Sequence, residues 1–119
     1  MPSSSPSFKE CQPLDKRAAE AKRIRAKYGD RIPVIVERSP NCSLKPIDKT
    51  KFLVPGDLTV GQFIYVVRRR IELEPEMALF LTVNNNMMAT SSTMNLVDDA
   101  HRDEDGFLYV MYSGENTFG

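Results

Sequence analysis

The stretch Leu53–Ile71, LVPGDLTVGQFIYVVRRRI, decides the fold of this chain, because a strand ends within it and a well-marked helix begins. Thr59 opens a T-x-x-Q capping box, in which two side chains satisfy free amide groups at the start of a helix. The helix is therefore predicted to begin at about Val60. It should end by Glu72 to Glu74, because Pro75 has no amide proton and disfavours helical geometry in the residue before it.

This predicted helix carries more apolar residues than one buried face requires. At about 100° per residue, four of them fall within an arc of about 60° and form a core stripe: Val60, Ile64, Val67 and Ile71. Phe63 lies at the edge of that stripe, and Val66 lies beyond it. Two interpretations are open. Both side chains are core residues covered by a loop, as large apolar helix residues usually are, or they line a groove between the helix and the strand before it.

The chain has no formal net charge, but its charged residues are unevenly distributed along the sequence. The 119 residues are 41% hydrophobic with a formal net charge of zero, which is typical of one globular domain with a single core. Residues 1–31 hold eight Lys and Arg against four Asp and Glu, and residues 32–119 hold eight against twelve. A basic N-terminal segment therefore precedes an acidic body, and it could contact nucleic acid, an anionic lipid or an acidic protein.

The few chemically reactive residues argue against a catalytic or metal site. Cys11 and Cys42 are far apart without a C-x-x-C motif, and His101 is the only histidine, so neither a zinc cluster nor a redox site can be assembled. The acidic residues between 98 and 105 lack the regular ligand spacing of a calcium loop and are interpreted as a solvated loop. We therefore predict no catalytic residue, no metal, no cofactor and no enzymatic activity.

The sequence predicts a cytosolic protein. Its N-terminus, MPSSSPSFKE, lacks the apolar core of a signal peptide, and no run reaches the roughly eighteen apolar residues of a membrane span. Two thiols without a pairing pattern are typical of a reducing compartment. Pro2 stands where N-myristoylation needs glycine, so any membrane attachment is expected at the C-terminal end.

The predicted order of elements is helix, strand, strand, helix, strand, short helix, strand. The first helix, over 15–28, is basic, and its charged residues form either a solvated face or a docking surface. Strands are expected at 32–37, 51–54, 78–83 and 107–112, with a turn at 84–86, and Thr93 caps the short helix. After the first helix this is the order of an α+β, ubiquitin-like β-grasp, in which a four-stranded mixed sheet folds over one long helix.

Several long segments match one known family, in order and without gaps. They are KYGDRIPVIVERSP (27–40), DKTKFLVPGDLTVGQF (48–63), FLTVNN (80–85), the dipeptide Thr93-Met94 and DEDGFLYVMYSGENTFG (103–119). Over about Asp15–Gly119 the chain resembles the autophagy-related ubiquitin-like modifiers of the GABARAP type. The resemblance implies two N-terminal helices before the β-grasp. It also implies a flexible tail at 1–8, a helical extension at 9–28, a core at 29–113 and an exposed conjugation tail at 114–119.

Gly119 matches the C-terminal glycine through which this family is attached to phosphatidylethanolamine. The resemblance implies that activating and conjugating enzymes carry the chain as a thioester, and that a cysteine protease removes the lipid. It also implies a protein that is cytoplasmic when free and bound to the autophagosome membrane when lipidated. Because family precursors usually carry residues beyond this glycine, whether the same protease also trims this chain stays open. A terminal glycine suits the chemistry, since without a Cβ it can thread a narrow enzyme channel.

The family also binds cargo receptors through short aromatic-x-x-aliphatic peptides laid along the second strand. This is β-augmentation, in which backbone hydrogen bonds set the register and pockets for alternate side chains set the specificity. By resemblance, the aromatic pocket is lined by Glu20, Ile24, Pro33, Ile35, Lys51, Leu53 and Phe107. The aliphatic pocket is lined by Phe52, Val54, Pro55, Leu58, Phe63 and Val66. Lys51 and Arg70 are expected to pair with acidic residues that flank the peptide motif.

Three functions from different classes can be compared. The leading prediction is a lipid-conjugated autophagy modifier that recruits receptors to membranes. The alternative is a ubiquitin-like adaptor that binds such peptides or microtubules, with tubulin as a partner, and is never conjugated. A nucleic-acid binder is not expected, because the aromatic residues are interpreted as core or pocket positions and not as an exposed stacking platform.

Overall fold

A mixed five-stranded sheet lies between two layers of helices in the computed structural model, which describes residues 7–40 and 42–114. The helices are α1 (Phe8–Cys11), α2 (Leu14–Lys27), α3 (Val60–Arg70) and α4 (Met94–His101). The strands are β1 (Arg31–Arg38), β2 (Lys51–Pro55), β3 (Phe80–Val83), β4 (Asn86–Met87) and β5 (Leu108–Ser113). Their order across the sheet is β2-β1-β5-β3-β4, with β1 and β5 parallel and the other pairs antiparallel. The predicted α+β architecture is confirmed.

The start of α3 lies where the sequence predicts it. The Thr59 side chain accepts a hydrogen bond from the Gln62 amide, and the Gln62 side chain accepts one from the Thr59 amide, so both halves of the capping box form. The helix ends at Arg70, within the predicted limit, and Glu72 then takes a left-handed φ of 54° that ends the helical path. Local signals therefore suffice to position this helix.

The sheet carries an apolar cluster on each face. Along β1, alternate side chains enter one cluster or the other, so that residues 32–36 are all buried. On one face α3 and α4 cover the larger cluster, whose seventeen buried residues include Val60, Val67 and Ile71 of the predicted core stripe. On the other face α1 and α2 cover a smaller cluster of three buried residues, Ala21, Ile35 and Phe107. Few apolar contacts therefore attach the N-terminal helices to the sheet.

The number of strands and several predicted bounds differ from the structure; β3, predicted at 78–83, runs over Phe80–Val83. The prediction had four strands, and the structure adds β4, because Asn84 and Asn85 take left-handed φ angles of 50° and 64° and turn the chain back onto β3. A two-residue strand leaves no periodic pattern by which a sequence could reveal it. The short first helix that the resemblance implies within residues 5–13 forms at Phe8–Cys11, and Phe8 packs edge-on against Phe107 with ring centroids 5.3 Å apart. Residues 1–6 of the predicted tail and 115–119 of the conjugation tail lie outside the described residues.

Candidate functional site

β2 is an edge strand with a backbone that can accept a further strand. It pairs with β1 in the antiparallel register that places Pro33 opposite Leu53 and Val34 opposite Phe52. Within the part of the chain that the structure describes, no other strand pairs with its outer side. Backbone groups along such an edge are available to an extended peptide. The predicted second-strand site therefore coincides with the longer of the two sheet edges.

An apolar cavity of about 260 Å³ lies between α2 and β2. Five of the seven residues predicted for the aromatic pocket line it: Ile24, Pro33, Lys51, Leu53 and Phe107. Tyr28, Val34, Lys49 and Phe52 line it as well. The other two predicted residues are adjacent, because Ile35 is buried in the same cluster as Phe107 and Glu20 is bonded to Lys51. Sequence reasoning missed Tyr28 as a lining residue, since its helical spacing assigned it to the apolar stripe of α2.

The side chain of Lys51 is held in place beside this cavity. Its Nζ lies 2.6 Å from a carboxylate oxygen of Glu20 and 5.2 Å from the centroid of the Phe8 ring. Phe8 in turn packs on Phe107, which lines the cavity. An acidic residue of a bound peptide would therefore compete with Glu20 for Lys51, and the net gain from such a pair is small because the lysine is 45% exposed.

The predicted aliphatic pocket lies on the opposite face of the sheet and is partly closed. Phe63 and Val54 are only 1% and 4% exposed, so the core interpretation holds for Phe63. Phe52 packs edge-on against Phe63, with ring centroids 5.9 Å apart, and remains half-buried. The other members, Pro55, Leu58 and Val66, are also half-buried. The surface available to a ligand is therefore formed by the half-buried residues, with Phe63 as the floor beneath Phe52.

Arg70, the second predicted partner of acidic flanking residues, lies at the end of α3. Its Nε is 3.3 Å from a carboxylate oxygen of Asp48, and its side chain is 42% exposed. Lys49 places its Nζ 5.2 Å from the centroid of the Phe52 ring. The rim of the site is thus basic on both faces of the sheet, and Lys49 is a rim residue that the sequence did not reveal.

The alternation of β2 separates the two apolar surfaces. Leu53 and its neighbour Pro33 lie on the α2 face, whereas Phe52 and Val54 belong to the α3 face, and Phe52 also borders the cavity between α2 and β2. A peptide strand added at this edge continues the alternation, so two of its side chains separated by three positions point to opposite faces. The arrangement can therefore bind two anchors three residues apart, one in each apolar surface.

Three of the five acidic residues between 98 and 105 are partners of the N-terminal helices, whereas Asp99 and Glu104 are exposed as a solvated loop predicts. Asp98 and Asp105 are 3% and 2% exposed, which contradicts the interpretation from the sequence. Asp105 accepts hydrogen bonds from Arg17, at 2.7 Å, and from the hydroxyl of Tyr109, at 2.5 Å. Pairing with cations removes the cost that a buried carboxylate otherwise carries.

The ionisation of these buried groups follows from their partners. Burial of Asp98 opposes its charge, but hydrogen bonds from Arg25 and Arg102 outweigh that effect and hold its pKa below the usual value. The pKa of Tyr109 is raised, first because the phenol is buried and then because it donates to Asp105. Asp98 therefore remains an anion and Tyr109 a neutral donor at neutral pH.

Other predicted features have the following places. His101 lies 3.2 Å, ring nitrogen to amide nitrogen, from the Asn84 side chain. Among the described residues, no group of three or more His, Cys, Asp or Glu side chains is arranged to hold a metal ion. No helix in those same ranges has the length and hydropathy needed to cross a membrane. Gly119, the predicted conjugation site, lies outside the described residues.

Known proteins are similar to this chain in sequence and in fold. Residues 16–119 match the family model described as "Autophagy protein Atg8 ubiquitin like". Autophagy-related protein 8d of Arabidopsis thaliana is 60% identical over 113 residues, which are 95% of this chain and 94% of that protein. Autophagy-related protein 8 of Emericella nidulans is 57% identical over 112 residues, which are 94% of this chain and 95% of that one. The crystal structure of Trypanosoma brucei ATG8 aligns with a TM-score of 0.88 at 42% identity, covering 98% of this chain and 100% of that chain.

Proposed function

The chain belongs to the Atg8 family of ubiquitin-like autophagy proteins, and from that premise we propose that it is a modifier joined through Gly119 to phosphatidylethanolamine of autophagic membranes. In this proposal the β2 edge recruits cargo receptors that carry aromatic-x-x-aliphatic motifs. The chain is a substrate of activating and conjugating enzymes and of a delipidating cysteine protease, and is not itself an enzyme. It is cytoplasmic when free and lies on the autophagosome membrane when lipidated.

The observation that carries the peptide-binding part is an edge strand flanked by apolar surfaces on opposite faces. An aromatic side chain fits the cavity between α2 and β2, and an aliphatic side chain fits the half-buried surface around Phe52 and Leu58. Main-chain hydrogen bonds to β2 fix the register between them. Because the anchors must point to opposite faces, their separation must be an odd number of residues, as three is.

The conjugation part rests on the chemistry of the C-terminus. Gly119 is six residues beyond Ser113, the last residue of β5. Six residues of extended chain reach at most about 20 Å, enough for the terminal carboxylate to enter an enzyme channel while the domain stays outside. The ATP-activated carboxyl group would be carried as a thioester. Attack by the amine of phosphatidylethanolamine then forms an amide and releases the enzyme thiol.

Reconstitution tests the conjugation part directly. The full chain is incubated with activating and conjugating enzymes of the family, ATP and vesicles containing phosphatidylethanolamine, and the mass of its C-terminal peptide is measured. We expect the lipid as an amide on Gly119, dependent on ATP, and none on the Gly119→Ala variant. An unmodified wild-type chain in a reaction that lipidates a known relative would leave the alternative function, an unconjugated adaptor for such peptides or for tubulin.

Peptide binding by the Gly119→Ala variant separates the two parts of the proposal. The variant should bind an aromatic-x-x-aliphatic peptide as tightly as the wild-type chain, since Gly119 follows the last strand by six residues in sequence and is not one of the residues assigned to the groove. Isothermal titration calorimetry on both proteins gives the comparison. Absence of binding by a folded wild-type chain would contradict the groove assignment, whatever the outcome of the lipidation assay.

A further inference from the structure

Three cations of the N-terminal helices, spaced eight residues apart, bind α4 and the segment that follows it. Lys9, Arg17 and Arg25 bond to Asp103, Asp105 and Asp98 respectively, at 2.7, 2.7 and 2.8 Å, and Arg25 also bonds to the Gly106 carbonyl. We call the four acceptors, Asp98, Asp103, Asp105 and Gly106, the N-terminal clamp. The basic N-terminal segment and the acidic residues of the body are therefore partners of each other.

Arg25 makes the largest number of these bonds. Its guanidinium donates two hydrogen bonds to the carboxylate of Asp98, at 2.8 and 3.0 Å, and two to the carbonyl of Gly106, at 2.8 and 3.0 Å. A planar guanidinium held by two acceptors fixes the rotation of the helix that carries it. Ile24, the next residue on α2, lines the aromatic cavity, whereas neither Arg25 nor Asp98 does.

The clamp also brings the backbone of Gly106 close to α2. A Cβ placed on Gly106 would lie 2.9 Å from the Cβ of Ala21, and the φ of Gly106 is +93°, in the region that favours glycine. Ala21 is one of the three buried residues of the smaller cluster. Phe8, Ile24 and Tyr109 also pack against this cluster, and the charged bonds of the clamp add to these apolar contacts between the N-terminal helices and the body.

We propose that the N-terminal clamp is a positioning element for the aromatic cavity: by holding α2 through Arg25, it sets the separation of α2 from β2 and thereby the affinity for an aromatic side chain. This inference rests on the proposed peptide-binding function. The clamp should act mainly on the aromatic anchor, because Ile24 of α2 lines the aromatic cavity, whereas Leu58 and Val66 of the aliphatic surface pack against the larger cluster on the other face. Phe52 is the one residue common to both surfaces. Small displacements of a supporting helix are enough to weaken a fitted pocket.

The test measures each anchor separately in two matched variants. Arg25→Gln removes the bonds from α2 to Asp98 and Gly106. Arg102→Gln is the control, because Arg102 also bonds to Asp98, at 2.7 Å, but belongs to the end of α4 and does not connect to α2. Calorimetry gives the dissociation constants of three peptides: aromatic-x-x-aliphatic, alanine-x-x-aliphatic and aromatic-x-x-alanine. For each anchor, the dissociation constant of the peptide that has alanine in its place is divided by that of the aromatic-x-x-aliphatic peptide. This ratio measures the contribution of that anchor to binding.

In Arg25→Gln the ratio for the aromatic anchor should fall by about three- to tenfold relative to wild type, as for a coupled contact. The ratio for the aliphatic anchor should stay unchanged, and Arg102→Gln should keep both wild-type ratios. A merely structural role would leave both ratios as they are in every folded variant, or lower both together, and either result would overturn the inference.

Thermal melting of each variant establishes whether it is folded. Where Arg25→Gln does not fold, Arg25→Lys, which keeps the charge and loses the bidentate geometry, takes its place. If wild type binds none of the peptides, the proposed function fails as well, and the two failures are thereby distinguished.

Discussion

Moving the aliphatic anchor of a bound peptide by one residue should remove most of what that anchor contributes. In an aromatic-x-x-aliphatic peptide paired with β2, the anchors point to opposite faces of the sheet and reach the two apolar surfaces. In an aromatic-x-x-x-aliphatic peptide, both anchors point to the same face. A leucine that leaves the surface around Phe52 and Leu58 loses about 2 kcal/mol of burial, which raises the dissociation constant about thirtyfold.

Competition against a fluorescently labelled peptide, read by polarisation, measures this difference. A peptide with alanine in place of the aliphatic residue gives the affinity that remains without an aliphatic anchor. The aromatic-x-x-x-aliphatic peptide should bind no more tightly than this alanine peptide. The variant Phe52→Ala should bind the two spacings almost equally, because it removes the centre of the aliphatic surface. Leu96→Ala, at a residue that is 61% exposed on α4, should keep the full discrimination. Equal binding of both spacings by the wild-type chain would refute the idea that the peptide continues the sheet at β2.

Two further predictions concern stability and are measured by urea unfolding. Phe63→Ala should lower the free energy of unfolding by about 3–5 kcal/mol, because the ring is 1% exposed in the larger cluster; a loss below about 1 kcal/mol would contradict its role as the floor of the groove. Asp98→Asn should lower it by about 2–3 kcal/mol at pH 7, since it breaks the bonds from Arg25 and Arg102. The pKa of Asp98 is lowered in the folded state, so its contribution is present above the unfolded pKa of about 3.9 and is lost as pH falls below it. The difference in the free energy of unfolding between Asp98→Asn and wild type should therefore shrink towards pH 3. A difference that does not change with pH would contradict the ion pairs of Asp98.

The sequence predicts elements whose signals are local. The capping box at Thr59 and Gln62 lies within four residues and sets the start of α3 without reference to the rest of the chain. The alternation of β2 is equally local, and it agrees with the two sides of the groove that the family resemblance implies. Burial is a different matter. Phe63 lies at the edge of the helical stripe, and only the packing of Phe52 over it decides between core and groove.

The clamp could not be predicted, because its partners are remote in sequence. Lys9 and Asp103 are separated by 94 positions, and Arg25 and Asp98 by 73. Lys9 belongs to α1 whereas Arg17 and Arg25 belong to α2, so no single helical face marks the three cations, and a run of acids between two elements is typical of a solvated loop. Only the fold brings the basic and acidic segments together, and so joins them in ion pairs that range from the exposed Lys9–Asp103 pair to the buried Arg17–Asp105 pair.

The apolar clusters on the two faces of the sheet differ in size, so the helices on the two faces should differ in the free energy needed to unfold them locally. Seventeen buried residues hold α3 and α4, whereas three hold α1 and α2. Local opening of a segment costs less free energy when fewer buried contacts are lost, so the amide hydrogens of α2 should exchange with solvent before those of α3. An aromatic side chain bound between α2 and β2 adds apolar contacts between the fast-exchanging helix α2 and the slow-exchanging sheet. Peptide binding in the groove should therefore slow the exchange of amide hydrogens along the whole of α2, including residues that the peptide does not contact.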